Sequence, residues 1–257
     1  MALILLRFLL APLLVAAASL AARKWGDRVG GWLAAFPFVA GPLLLVMSLD
    51  HGLEFGASSA RSALSGITAL AVFAVCYAHL ARVVRWAGAL AIGWALYLLS
   101  AWMMHSLELG FAARLAGALA SLWLAKFLLP AIAPEGSRAK ARKPPGWDIP
   151  ARMGSAALLV GTVATLSNLM GPSWSGLLTP FPIATTILVA FAHAEYGHAA
   201  VARMLDGFIP ALAGLAFFFA ALTIGLVPLG LWGGFGAALG ASMATQVALL
   251  FSKPSRE

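Results

Sequence analysis

The chain has 257 residues, 62% of them apolar and only 10% charged, with a mean hydropathy of +0.93. A water-soluble domain carries roughly 25% charged residues, so this much apolar surface excludes a soluble globular fold and makes lipid the solvent. The net charge of +8 does not mark a nucleic-acid binder: the Lys and Arg residues sit in short loops between apolar runs, where they act as topology signals and meet anionic headgroups.

Apolar runs near the roughly 20 residues that cross a bilayer fall at 2–22, 30–50, 62–81, 86–104, 111–133, 152–170, 176–194, 208–228 and 230–251, and predict nine membrane-spanning helices. The first run, with Arg7 and Ala16-Ala17-Ala18, has features of a signal peptide. A charge inside the apolar stretch and a counterpart later in the chain make it the first span instead. The second run carries Phe36-Pro37 and Gly41-Pro42 and ends at Asp50-His51-Gly52. Cys76, in the third, is the sole cysteine, which rules out an internal disulfide and reads as a small buried side chain. His79 and His105 read as packing or interfacial histidines. Between the fifth and sixth runs lies the one sizeable polar stretch, from Glu135 to Ala151, whose charges and three prolines mark an extramembrane linker. The seventh run contains Thr179-Pro180-Phe181-Pro182, then Thr185 and Thr186, and closes on His193-Ala194-Glu195-Tyr196-Gly197-His198. In the last run, Gly236-xxx-Gly240 permits close helix contact. Trp25, Trp86, Trp102, Trp147, Trp174 and Trp232 lie near run ends, where indole rings settle at a bilayer interface.

With nine spans and the 135–151 loop in the cytoplasm, thirteen of the seventeen Lys and Arg residues fall on the cytoplasmic side. By the positive-inside rule the chain then starts outside and ends inside the cell membrane.

An internal repeat organises the spans. Sliding the sequence by 145 residues without a gap brings Gly26 onto Gly171, Gly31 onto Gly176, Phe36-Pro37 onto Phe181-Pro182, and Gly52 onto Gly197. Asp50 falls on Glu195 and Arg7 on Arg152, so an acid and a base are repeated as well. The expected fold is all-α, with a first four-helix repeat in 1–105, a linking transmembrane helix and basic cytoplasmic loop in 106–151, and a second four-helix repeat in 152–257. Four crossings return the chain to its starting side and the fifth carries it across. The second repeat therefore enters inverted, in a 4+1+4 arrangement.

Candidate functional residues follow from the repeat. Proline inside a helix removes a donor and frees carbonyls for a ligand or water, which puts Phe36, Pro37, Phe181, Pro182 and the Thr179 hydroxyl at a substrate site near the pseudo-twofold axis. Asp50 and Glu195 end those helices, and a carboxylate near membrane depth suggests gating or a proton relay. The bland alternative caps each acid at headgroup level or pairs it with Arg61 or Arg203. His193 joins the same set. It and His198 have ligand chemistry, yet five residues on a helix separates them by about 140°, so no metal site and no cofactor is expected. Arg7 and Arg152 can snorkel to the interface or hold an anionic headgroup. The sequence contains no phosphate loop, nucleophile elbow or metalloprotease motif, and no enzyme is expected.

The Gly-rich stretch Gly30-Gly31-Trp32-Leu33, the Phe-Pro pairs, and an acid followed by glycine (Asp50 to Gly52, Glu195 to Gly197) give each repeat a likeness. Each resembles the GlpM type of small bacterial inner-membrane protein, which is about one repeat long. The resemblance covers about half of the chain and implies a fused duplicate of a unit that assembles elsewhere as an antiparallel pair; it implies no substrate. The leading expectation is a secondary transporter or exporter of a small solute. A lipid or polyprenyl-phosphate flippase, an envelope-biogenesis factor and a non-transporting subunit of a membrane complex are the alternatives. The lipid bilayer is the expected partner, and homodimerisation stays open.

Overall fold

The computed structural model of the chain describes residues 2–131, 146–169 and 178–251. Among the described residues the protein is all-helical: α1 (Ala2–Trp25), α2 (Asp27–Ala34), α3 (Ala40–His51), α4 (Leu53–Leu80), α5 (Trp86–Ser106), α6 (Phe111–Leu128), α7 (Asp148–Leu169), α8 (Ile183–Tyr196) and α9 (His198–Phe251). Four of them, α4, α5, α6 and α9, are long and apolar enough to cross a membrane, while α8 is a shorter apolar helix. The basic linker lies largely outside the described residues, as do Gly171 and Gly176 of the repeat.

The second predicted run is a broken helix, α2 followed by α3. Pro37 offers no N–H, and its ring crowds the carbonyl four residues back, so α2 ends in tightened turns with Ala35 N–H on the Trp32 carbonyl and Phe36 N–H on the Leu33 carbonyl, each at 3.3 Å. The chain restarts as α3 once Gly41 N–H reaches the Pro37 carbonyl at 2.7 Å. The seventh run breaks in the same place. Ile183 N–H bonds the Phe181 carbonyl at 2.6 Å across Pro182, whose φ of −73° and ψ of 52° make an inverse γ-turn, and α8 starts there.

Helix α4 begins at Leu53 rather than near residue 62, and the first arm of α9 at His198 rather than near 208. Glu54, Ser58, Ser59 and Arg61 lower the hydropathy of that first stretch without interrupting its hydrogen bonds. One glycine at each start lets the chain turn. Gly52 (φ 94°, ψ 165°) joins α3 to α4 and Gly197 (φ 76°, ψ −174°) joins α8 to α9; a side chain is strained in that conformation. Gly26 and Gly230 have the same sense of φ, and Gly230 divides α9 into two arms.

Some helix boundaries coincide under the 145-residue shift, whereas Leu80, the end of α4, maps onto Gly225 inside α9. His51 maps onto Tyr196 (the ends of α3 and α8) and Leu53 onto His198 (the starts of α4 and α9). Trp86, which starts α5, maps onto Leu231, the first residue beyond the α9 kink.

Two cores hold the bundle. The larger is centred on α4 and the first arm of α9, with Ile67, Phe73 and Tyr77 buried against Phe208, Phe218 and Phe219. The smaller joins α1, α7 and α8 through Val15, Ala156, Val160, Ile183 and Ile187. Small residues set the closest approach: a Cβ at Gly31 would collide with the Met204 carbonyl, and one at Gly207 with the Arg28 carbonyl, so α2 and α9 touch backbone to backbone.

Candidate functional site

Both Phe-Pro breaks open onto one cavity of about 40 Å³ where the two cores meet. Its walls come from Phe36 and Val39 at the first break, from Thr179, Phe181, Pro182 and Thr185 at the second, and from Phe208 and Leu212 of α9. Each break sits where aromatic rings can brace it. Phe181 lies 5.2 Å from Tyr97, edge to face, and 5.7 Å from Trp94, whose indole N–H donates to the Thr186 hydroxyl at 3.0 Å. Phe36 is held between Trp32 and Phe38. The Trp32 indole donates to Gln246 Oε1 at 2.9 Å, and the Gln246 amide donates to the Ala211 carbonyl at 2.8 Å. The site is mainly apolar, with the hydroxyls of buried Thr179 and Thr185 as its polar groups. Ligand pockets are usually several hundred cubic ångströms; this one has room for a few waters.

A layer of ion pairs lies towards one end of the bundle from this cavity. In its first cluster, Asp148 at the start of α7 is fully buried and accepts from Arg23 of α1 and from Arg152 Nε at 2.9 and 3.0 Å. Arg152 Nη2 also donates to Glu195 Oε2 of α8 at 3.1 Å, and its guanidinium lies 4.5 Å from the centre of the Phe191 ring. In the second cluster Arg203 of α9 meets Asp27 of α2, with Nη2 at 2.8 Å and Nε at 2.9 Å, both side chains buried. Asp206, one turn further along α9, takes Arg28 of α2 and Lys126 of α6. Six helix ends, those of α1, α2, α6, α7, α8 and α9, are therefore gathered on one face of the bundle. A buried charge is tolerated only when paired in this way.

The candidate residues fall into separate places. Phe36, Phe181, Pro182 and Thr179 line the cavity, and Pro37 makes the break beside it. His193 stands 3.5 Å from the Tyr77 hydroxyl near the end of α4, on the side of the ion pairs. Asp50 sits beside the start of α4, a helix of 28 residues. That is about 40 Å of helix, so Asp50 and Glu195 lie at opposite ends. The pairing expected for Glu195 with Arg203 is replaced by Arg152, because Arg203 is already held by Asp27. Arg152 also departs from the snorkelling expected of it: its side chain is only 5% exposed and turned inward to two carboxylates. Arg7 is carried by α1, and its side chain lies outside the described residues.

Asp27, Lys126, Asp148 and Asp206 were not among the residues the sequence singled out. Asp148 and Asp206 fall in stretches between the predicted spans, and only their proximity to Arg152 and Arg203 on a helix (four and three residues apart) hints at pairing. No protein-family model matches the chain, and neither a curated protein nor a solved structure matches it.

Proposed function

We propose that this protein is a secondary membrane transporter of a small solute, built as nine crossings in a 4+1+4 inverted repeat, with the substrate passing between the halves at the Phe-Pro breaks. The observation that carries the reading is that one cavity is lined by both breaks, one from each half. Broken helices supply backbone carbonyls at mid-depth, where an unbroken helix offers none. The helix boundaries that coincide at the 145-residue shift favour two related halves, and an odd number of crossings between the repeat starts makes them antiparallel. Such halves exchange inward-open and outward-open forms at little difference in free energy. A cavity of about 40 Å³ is then the contracted form of the site. The excess of basic residues puts the ion-pair face in the cytoplasm, the N-terminus outside and the C-terminus inside. Glu195 and Asp50, at the two ends, are the candidates for proton coupling. On the same reading each half corresponds to one unit of the GlpM type.

Reconstitution tests this directly. Pools of amino acids, organic acids, organic amines and sugars, each containing a radiolabelled member, are applied to proteoliposomes holding a trapped pH-sensitive dye. Uptake of one pool with a change in lumen pH is expected, and the Asp50→Asn/Glu195→Gln double variant should slow it by about tenfold or more. If no pool accumulates while fluorescent lipid crosses the bilayer in a parallel assay, transport of a solute is rejected in favour of a flippase.

A further inference from the structure

The ion-pair layer described above lies at one end of the bundle. Under the 145-residue shift the counterparts of Asp27, Arg28 and Arg203 are Pro172, Ser173 and Ser58, and those of Arg23 and Asp148 are Asn168 and Leu3. Asp206 falls on Arg61, a reversal of charge. Of the whole layer, Arg152 and Glu195 alone map onto a base and an acid, Arg7 and Asp50. Two ends with related backbones are thus equipped with different chemistry.

The position of the layer relative to the cavity follows from the helices they share. Phe208 lines the cavity, and Asp206 and Arg203 precede it on α9. Ala34 of α2 also lines the cavity, and Asp27 and Arg28 begin the same helix. At 1.5 Å per residue these ion pairs lie about 3–11 Å along their helices from the cavity, on the one side. The space between is closely packed: Gly31 and Gly207 bring α2 and α9 into backbone contact, and Met204 and Leu205 are buried.

We propose that this layer is the gate on that face of the bundle: while its ion pairs are formed the cavity is sealed there and communicates with the opposite face, and parting of the pairs opens it. The proposal rests on the transporter reading for its purpose but not for its test. Three observations argue for a gate rather than a permanent clamp. The layer links helices of both halves, α1 to α7 and α2 to α9, so it cannot survive their separation. Its charges nearly balance while formed, two against two around Asp148, one against one at Asp27 and two bases on one acid at Asp206. Finally, Arg203 Nη1 is buried with no hydrogen-bond partner among the described residues. Water reaching that nitrogen as the layer parts offsets part of the cost of opening.

The test reads access and does not require the solute to be known. In full-length protein carrying Cys76→Ala, a Thr185→Cys substitution places a thiol in the cavity wall. A membrane-impermeant maleimide is applied to each face of oriented membranes. A separate Trp147→Cys variant marks the face of the ion pairs, since Trp147 is exposed beside Asp148. With the layer intact, labelling at 185 is expected from the opposite face alone. Asp148→Asn/Asp206→Asn should raise labelling from the ion-pair face by at least about tenfold. The swap Asp27→Arg/Arg203→Asp, which preserves one pair in reverse, should stay closed, and it keeps the test decisive if the double Asn variant misfolds. Labelling from the ion-pair face in the unmodified layer, no labelling from either face, or no gain on neutralisation or in the swap's single components would overturn the gate. Switching access without any solute flux would uphold the gate and reject the transporter.

Discussion

Asp148 carries more of the molecule than its place in a polar linker suggests. Its carboxylate is fully buried and answers two guanidiniums from different helices. Removing one partner of a buried charge group leaves the other uncompensated, which costs about 3–5 kcal/mol. Asp148→Asn should therefore lower the thermal unfolding midpoint of the detergent-solubilised protein well below that of Asp50→Asn, whose carboxylate is exposed. Gly31 gives a second residue-level expectation. A methyl there meets the Met204 carbonyl, so Gly31→Ala forces α2 away from α9 at about 1–3 kcal/mol. Gly117→Ala, with open space around it on α6, should be neutral or slightly stabilising, since alanine favours a helix. At this scale the sequence was partly legible. Arg152 and Glu195 stood out through their repeat partners, whereas their contact with each other did not, because it spans 43 residues and depends on how α7 and α8 cross.

Among the elements, the breaks could be read directly from the Phe-Pro pairs, since proline acts on its own helix and needs no tertiary context. Helix starts were less legible. Hydropathy started the third and eighth apolar runs about nine or ten residues after the helices begin, because it measures affinity for lipid and the first turns of α4 and α9 are polar yet helical. The glycines at those starts were visible as repeat matches, but their positive φ was not. Gly197→Ala should cost about 1 kcal/mol or more for the conformation alone, and the same change at Gly110 (φ −69°) should cost little. Comparing the two unfolding midpoints in one detergent checks this, and equal shifts would mean that α9 can start without the special turn.

In the whole molecule the halves do not sit side by side. Helix α1 packs on α7, and α4 and α2 pack on α9, so the principal core is made jointly and neither half has a complete one. Residues 1–131 and 146–257 expressed as separate chains should co-purify in equal amounts, and each alone should aggregate or be degraded. Recovery of either half as a monodisperse species would show that its core is self-sufficient. The sequence suggests two halves through its matches at a 145-residue shift. Their interleaving was hidden there, because it is fixed by which small residues allow close approach across the interface, such as Gly31 and Gly207.

The one-residue joints have a practical consequence. Gly26, Gly52, Gly197 and Gly230 each separate two helices by themselves. A protease needs several extended residues to fit its cleft, and an antibody needs a raised loop to hold; these joints offer neither. Among the described residues, the stretches 81–85 and 107–110 are where an inserted epitope or cleavage sequence has slack to emerge. A binder raised against the folded protein is best selected against those two stretches.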